Sequence, residues 1–422
     1  MREMFIFLKN LKGNAKACVL TEPLWAVPFN LYWPFFTLYM FSLGVLDFQI
    51  GLLLTIERLL QVVFALLGGV ITDKFGRRLS TLIFDIMSWS IPMLIWTFSQ
   101  NFWWFLAASI VNSTRQVTTT SWECLLVEDD AENADKLSKI FNWIHISGQL
   151  AVFFAPIAGF FVAQYDLVTV VRVLLFITFV SMTAKFVILY IYSTETKPGI
   201  IRMKETKNTS FSQLLLGYGD VFKQILRSWK MMRVLALQGL IGTIIMISST
   251  FFALYTTQNL GIPVHLMAYF PILRAAVMLG FLFLIQQRLG MFKPRHIMFT
   301  GILVFIAANG ILLAAPIESV VWIAVFTVIE ACATALLLPR LDTLAANVID
   351  PKERARIRSF FNAAILAFMG LFGVLAGWFS EINRRLPFIL NIVLFCLMLI
   401  VLVFGRKNAS DTKPPVTPVG SA

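Results

Sequence analysis

The sequence predicts an all-α integral membrane protein of about twelve transmembrane helices, and three observations lead to that reading. Its 422 residues are 58% hydrophobic and 14% charged, well under the roughly 25% charged residues of soluble domains. Continuous apolar stretches of about 20 residues recur along nearly the whole length, which favours helices over barrel strands and leaves no room for a sizeable soluble domain. The cations also alternate by loop. If odd-numbered spans run outward, the inner loops hold 27 of the 35 lysines and arginines, and the outer loops hold only Arg172, Arg384 and Arg385. That bias places both termini in the cytoplasm, at a bacterial inner or plasma membrane, and assigns the net charge of +12 to the inner surface rather than to a nucleic-acid partner.

The first span, near 17–44, follows basic residues but no small-residue cleavage site, and it is too long for a secretory signal. Trp25, Tyr32, Trp33 and Phe36 lie on it around Pro28 and Pro34, which should break its regularity, and these aromatics are candidates for a cavity wall. The second span, near 49–71, ends in a charged turn, and the third follows near 79–99. The fourth, near 102–126, begins with an interfacial Trp103 and Trp104 and then reads N-S-T-R-Q-V-T-T-T-S-W-E from Asn112 to Glu123, too polar to face lipid. The fifth, near 139–163, contains Pro156, which should bend it, and small residues such as Gly159 that permit close packing. The sixth, near 168–193, closes a first bundle, residues 1–193. Residues 194–230 are a basic linker whose amphipathic part, from Phe211 onward, is expected on the inner surface, drawn to anionic lipid by Lys223, Arg227 and Lys230. Six further spans, near 232–257, 265–286, 296–315, 319–345, 359–379 and 386–405, make a second bundle, 231–405, and the Pro- and Thr-rich tail 406–422 should be disordered.

Charges inside spans are the candidate working residues, because each costs about 2.5–3.5 kcal/mol on insertion scales and needs a partner or a wet cavity. Arg115 lies in the middle of the polar fourth span, with Glu123 two turns on and on the same face, so that the two are expected to line one aqueous wall with Asn112 and Thr119. Glu22, Glu57, Asp85 and Glu330 are candidates for carrying a proton, since burial disfavours a charged carboxylate and a nearby arginine favours it. Glu57 comes first among them; Arg58, next to it, points to a different face. Glu22 and Asp85 lie nearer the inner helix ends, where snorkelling explains them. Arg274 and Glu330 are expected to pair across the eighth and tenth spans, and Lys185 has no evident partner. Cys18, Cys124, Cys332 and Cys396 show no C-x-x-C spacing, the three histidines are far apart, and no phosphate loop or catalytic triad is readable, so neither a metal, a cofactor nor an enzyme activity is expected.

The turn after the second span reads G-V-I-T-D-K-F-G-R-R, Gly69 to Arg78. Gly69, Asp73, Lys74, Gly76, Arg77 and Arg78 fall on a pattern that resembles the signature loop of the major facilitator superfamily of secondary transporters. Physically, Gly69 would let two helices approach and Gly76 would allow the tight turn. The halves also repeat weakly at an offset of 220, with Asp130 matching Asp350 and Asn142 matching Asn362, and Q-R-L-G-M-F-K from Gln287 resembles a degraded copy of the loop. The resemblance implies two pseudo-symmetric six-helix bundles, a monomer that moves a small-molecule substrate, and Asp73 acting near the start of the eleventh span around Arg358 and Ser359. Arg115 resembles the arginine that proton-coupled drug antiporters carry on this helix, without the Gln-Gly that follows it there. Ala151 to Phe160 resembles a degraded antiporter motif, which tilts the expectation toward proton-coupled export of amphipathic or drug-like compounds. Uptake of a sugar or other polar solute, a non-transporting sensor and, more distantly, a membrane-embedded enzyme remain the alternatives.

Overall fold

The computed structural model describes residue 7 and residues 11–131, 133–209, 227–285, 288–348 and 354–404, and among these every regular element is helical. Three expectations fall outside them: the amphipathic linker segment up to Leu226, the tail, and the repeat partners Gln287 and Asp350.

The first span is built from α1 (Gly13–Thr21), α2 (Pro23–Tyr32), a 3-10 turn at Trp33–Phe35 and α3 (Phe36–Ser42). Pro23 opens α2 and Pro34 falls in the 3-10 turn, positions where a missing N–H is tolerated, and Pro28 lies inside α2. The second span is α4 (Asp47–Phe75), and the third is α5 (Arg77–Asp85), a π-helical turn at Ile86–Ser90 and α6 (Ile91–Thr97). The fourth joins α7 (Phe102–Asn112) to α8 (Arg115–Val127) through a break at Ser113 and Thr114. In the fifth, α9 (Ala134–Ala151) passes through a 3-10 turn into α10 (Ala155–Gln164), with Pro156 in the first turn of α10, where the bend is expected. The sixth is α11 (Leu167–Tyr192), and α12 (Lys197–Thr206) is a short helix of the linker. The second bundle runs α13 (Trp229–Leu254), α14 (Tyr269–Leu284), α15 (Pro294–Leu313), α16 (Val320–Val348), α17 (Arg354–Ile382) and α18 (Leu386–Phe404).

Among the described residues, ten helical stretches are long and apolar enough to cross a membrane. The other two of the twelve expected spans, the first and the fourth, fall short for readable reasons: prolines divide the first, and the fourth breaks just before Arg115 in a run of hydroxyl and amide side chains.

The two bundles meet mainly through α4 and α17. In a bilayer, apolar side chains gain nothing by leaving lipid, so close helix contact depends on small residues. Gly51 faces Gly373 and Gly377 so closely that a Cβ on Gly51 would lie 2.5 Å from the Gly373 carbonyl oxygen. Further along, Thr55 Oγ1 donates to the Gly370 carbonyl at 2.7 Å and accepts from the Val374 N–H at 2.7 Å. At the end away from the chain termini, the distal end, Asp47 accepts from Arg384 Nε at 2.8 Å and from Ser380 Oγ at 2.6 Å. Gly159 on α10 closes a second distal contact, where its Cβ would lie 2.9 Å from the His265 carbonyl. The distal ends are therefore sealed. On the half nearer the termini, Thr119, Asn142, His145 and Thr343 remain exposed polar side chains within spans.

Candidate functional site

Beneath the distal seal lies a cavity of ≈ 230 Å³. One wall is a ladder of rings on the first span. Trp25 stacks on Phe29 with centroids 4.9 Å apart, Phe29 on Trp33 at 5.1 Å, and Trp33 on Phe36 at 6.1 Å. Residues four apart share a helix face, and the 3-10 turn at Trp33 carries that face onward to Phe36. Phe29, Tyr32, Trp33 and Phe36 line the cavity; Trp25 supports them and meets Trp89 edge-on at 5.3 Å.

Another part of the lining is polar. Arg115 Nη2 lies 2.9 Å from Glu57 Oε1, and Gln61, one turn along α4, donates to the same oxygen at 2.7 Å. Arg58 Nη1 donates to Gln61 Oε1 at 2.8 Å and lies 3.9 Å from Glu57. Gln116 accepts from Asn362 Nδ2 of the other bundle at 2.9 Å, so the polar cluster touches both bundles. Asn112 also lines the cavity, with its amide donating to the Ser88 carbonyl at 2.6 Å in the π-helical turn.

The structure thus brings Glu57 and Arg115 together with Tyr32, Trp33, Phe36 and Asn112, and it divides the other expected residues among separate places. Glu123 and Thr119 are not in the lining, and Arg115 is bonded across helices to Glu57, not seated on a shared wall with Glu123. Arg274 and Glu330 do pair, at 3.1 Å, in the second bundle away from this cavity. Lys185 has a partner after all, Glu22 at 2.9 Å, and Asp85 lies within electrostatic reach of both. Snorkelling does not describe Glu22 and Asp85, which are 8% and 4% exposed. Gln61, Phe29 and Trp89 were missed, although Phe29 stands four residues from both Trp25 and Trp33 and Gln61 four from Glu57, and Arg58, expected to point to a different face from Glu57, lines the cavity with it.

The loop after α4 forms a second constellation. Gly76 has φ 86°, so the tight turn there requires glycine, and a Cβ would lie 2.6 Å from Glu195 Oε2. Glu195 in turn accepts from the Arg77 and Arg78 backbone N–H groups at 2.9 and 3.0 Å, capping the start of α5 with a carboxylate. Arg77 bonds Asp73 at 3.0 Å and Glu128 at 2.9 Å, Arg78 donates to the Tyr190 carbonyl at 2.8 Å, and Lys74 to the Thr209 carbonyl at 3.0 Å. Its neighbour Gly68 makes a close approach too, with a Cβ that would lie 3.2 Å from the Gln116 carbonyl, and Gly69 itself is half-buried. The expected partner of Asp73 at Arg358 lies outside the described side chains.

A family model described as the MFS_1 like family matches residues 29–404, nearly the whole of both bundles. The chain belongs to the MFS_1 like family. This MFS_1 like protein is a multi-pass membrane transporter of the major facilitator type. It is 28% identical over 114 residues to the tetracycline resistance protein, class B, of Escherichia coli, a match covering 27% of this chain and 28% of that protein. Its fold is similar to that of the nucleoside transporter NupG, with a TM-score of 0.72 at 14% identity, covering 94% of this chain and 100% of the other. A POT family transporter in complex with a thioalcohol conjugated peptide matches with a TM-score of 0.72 at 17% identity, over 93% of this chain and 96% of the other. At those identities the MFS_1 like protein shares the fold alone with these structures.

Proposed function

We propose that the protein is a proton-coupled secondary transporter of amphipathic organic compounds, working as a monomer by alternating access between bundles 1–193 and 231–405 across the linker 194–230. The observation that carries this reading is the Glu57–Arg115 pair, 2.9 Å apart, in a cavity walled by stacked aromatic rings. The rings suit an apolar or flat body, while Glu57 is a carboxylate whose arginine partner a bound solute can compete for. The loop charges support a cytoplasmic position for both termini, so that the distal seal faces outward and the cavity belongs to an inward-facing state.

Direction follows from how proton and solute share the site. If they exclude one another, the inward proton gradient drives export, which the fifth-span motif and the tetracycline-resistance match support. If they bind together, it drives uptake, and two arginines beside one carboxylate support that second reading. The test uses energised vesicles containing the protein and an internal pH dye, with amphipathic compounds added in turn. Proton movement triggered by a solute and lost in Glu57→Gln is expected. Solute flux indifferent to both a protonophore and Glu57→Gln would refute proton coupling.

A further inference from the structure

We infer that the solute bears one negative charge on its apolar body and that Arg115 and Arg58 together hold its anionic oxygens, with a proton taken up on Glu57 at the same time. The inference rests on the proton-coupled reading above and adds the chemical class of the substrate. Three charged side chains line the cavity among the described residues: Glu57, Arg58 and Arg115. Two cations against one anion leave a surplus of one positive charge. The rest of the lining is aromatic, aliphatic or neutral polar and does not offset it. A cationic solute would raise that surplus to two in a poorly screened space, whereas an anion arriving with a proton leaves it at one and takes up guanidinium donors that a neutral solute engages less strongly.

The donors point the same way. Each guanidinium presents five N–H donors in a planar fork that matches a carboxylate or a related oxyanion. Arg115 has one carboxylate partner, Glu57 at 2.9 Å, and Arg58 bonds the neutral amide of Gln61 at 2.8 Å while lying 3.9 Å from Glu57. Arg58 Nε is buried and has no hydrogen-bond partner. An anionic group seated between the two forks would use donors that the protein leaves unspent. The ring ladder from Phe29 to Phe36 lines the same cavity and offers aromatic surface to the body of the same molecule.

Seating an anion on Arg115 also changes Glu57, which then shares its arginine with a second negative group. Neutralising Glu57 relieves that repulsion, and the protonated acid can still bond Gln61. Anion and proton thus favour each other's binding. The titratable or charged groups facing Glu57 are Arg58 on its own helix, Arg115 on α8 and Tyr32 on α2; α7 contributes Ser109 and Asn112, and α13 contributes Ser249 and Thr250, none of which titrates. With the proton gradient directed inward, joint binding makes the transporter an importer of its anion.

The test is isothermal titration calorimetry on the purified full-length protein with three probes of one shape: phenylacetate, phenylacetamide and phenethylamine. Repeating the titration in buffers of different ionisation enthalpy counts the protons taken up with each probe. Phenylacetate is expected to bind about tenfold or more tightly than either of the others, and Arg115→Gln or Arg58→Gln to erase that preference. Equal affinity for the three, tighter binding of phenethylamine, or no binding of phenylacetate at millimolar concentration would overturn the assignment. Proton uptake with phenylacetate should vanish in Glu57→Gln. Anion preference without proton uptake would keep the substrate class and sink the proton-coupled reading, so the two fail separately.

Discussion

The distal seal yields a quantitative prediction through Asp47. Its side chain is 2% exposed and accepts from Arg384 Nε at 2.8 Å and Nη2 at 3.2 Å, as well as from Ser380 Oγ at 2.6 Å. The guanidinium also lies 4.9 Å from the Phe41 ring centroid, so both bundles hold it in place. Asp47→Asn keeps an oxygen for Ser380 and removes the charge that Arg384 faces. Hydrogen bonds to charged groups contribute about 1.5–3 kcal/mol each, whereas the same pair exposed to water in a distal-open state is worth about 0–1 kcal/mol. The difference, about 2 kcal/mol, moves the balance toward the distal-open state roughly thirtyfold. The assay places a single cysteine at Thr37, which is 8% exposed and lines the cavity, in a background with Cys18, Cys124, Cys332 and Cys396 replaced. A membrane-impermeant thiol reagent is applied from the distal side, and its reaction rate at Thr37→Cys reports how often the seal opens. Asp47→Asn should raise that rate strongly, and exchanging the charges with Asp47→Arg plus Arg384→Asp should lower it again. An unchanged rate in Asp47→Asn would refute the argument that this ion pair biases the two states.

Three further expectations follow from close contacts elsewhere. Gly51→Ala puts a Cβ 2.5 Å from the Gly373 carbonyl oxygen and 2.6 Å from Gly377 Cα, so the seal should fail to close and Thr37→Cys should react rapidly whatever residue stands at 47; slow reaction would show that the helices can yield. Gly76→Ala forces φ 86° on a residue with a side chain and drives its Cβ to 2.6 Å from Glu195 Oε2, which should cost about 1–3 kcal/mol and appear as a lower unfolding midpoint in detergent. Lys185→Met strands Glu22 beside Asp85 and should destabilise by about 3–5 kcal/mol, most of it recovered when Glu22→Gln is added; equal midpoints for the single and double variants would remove the pair from the account.

The fold was legible because its cause is compositional: a chain with long continuous apolar stretches and alternating basic loops has few ways to lie in a bilayer. The site was legible one residue at a time and not as an arrangement. Helix periodicity placed Arg115 and Glu123 on one face, yet the partner of Arg115 comes from another helix, and no spacing within α8 encodes that. Arg58 was set aside because it points away from Glu57, but α4 packs against α8 on one side and α17 on another, so two of its faces matter. Asp47 and Arg384 lie in different bundles, and nothing local marks either as half of a pair. Gly373 and Gly377 did carry a signal, small residues four apart on an apolar helix, of the kind that permits the contact seen with Gly51.

The signature loop bears most directly on the working cycle. Arg77 is engaged by Asp73 and Glu128, Arg78 by the Tyr190 carbonyl, and Lys74 by the Thr209 carbonyl. Every one of those partners lies in the first bundle or in the linker, while Asp73 keeps a side chain 35% exposed. With its cations occupied in this way, the loop holds α5 against the linker in the distal-closed state, and the bundles are joined by Asp47, Arg384 and the facing glycines at the opposite end of α4. One long helix therefore carries a seal at its start and the loop at its end. Opening the first breaks a buried ion pair, so the closing of the second must supply contacts of comparable strength if the two states are to remain near balance. Asp73, whose carboxylate is half-exposed, meets Arg77 at 3.0 Å in this state and would have to exchange or share that partner to supply one.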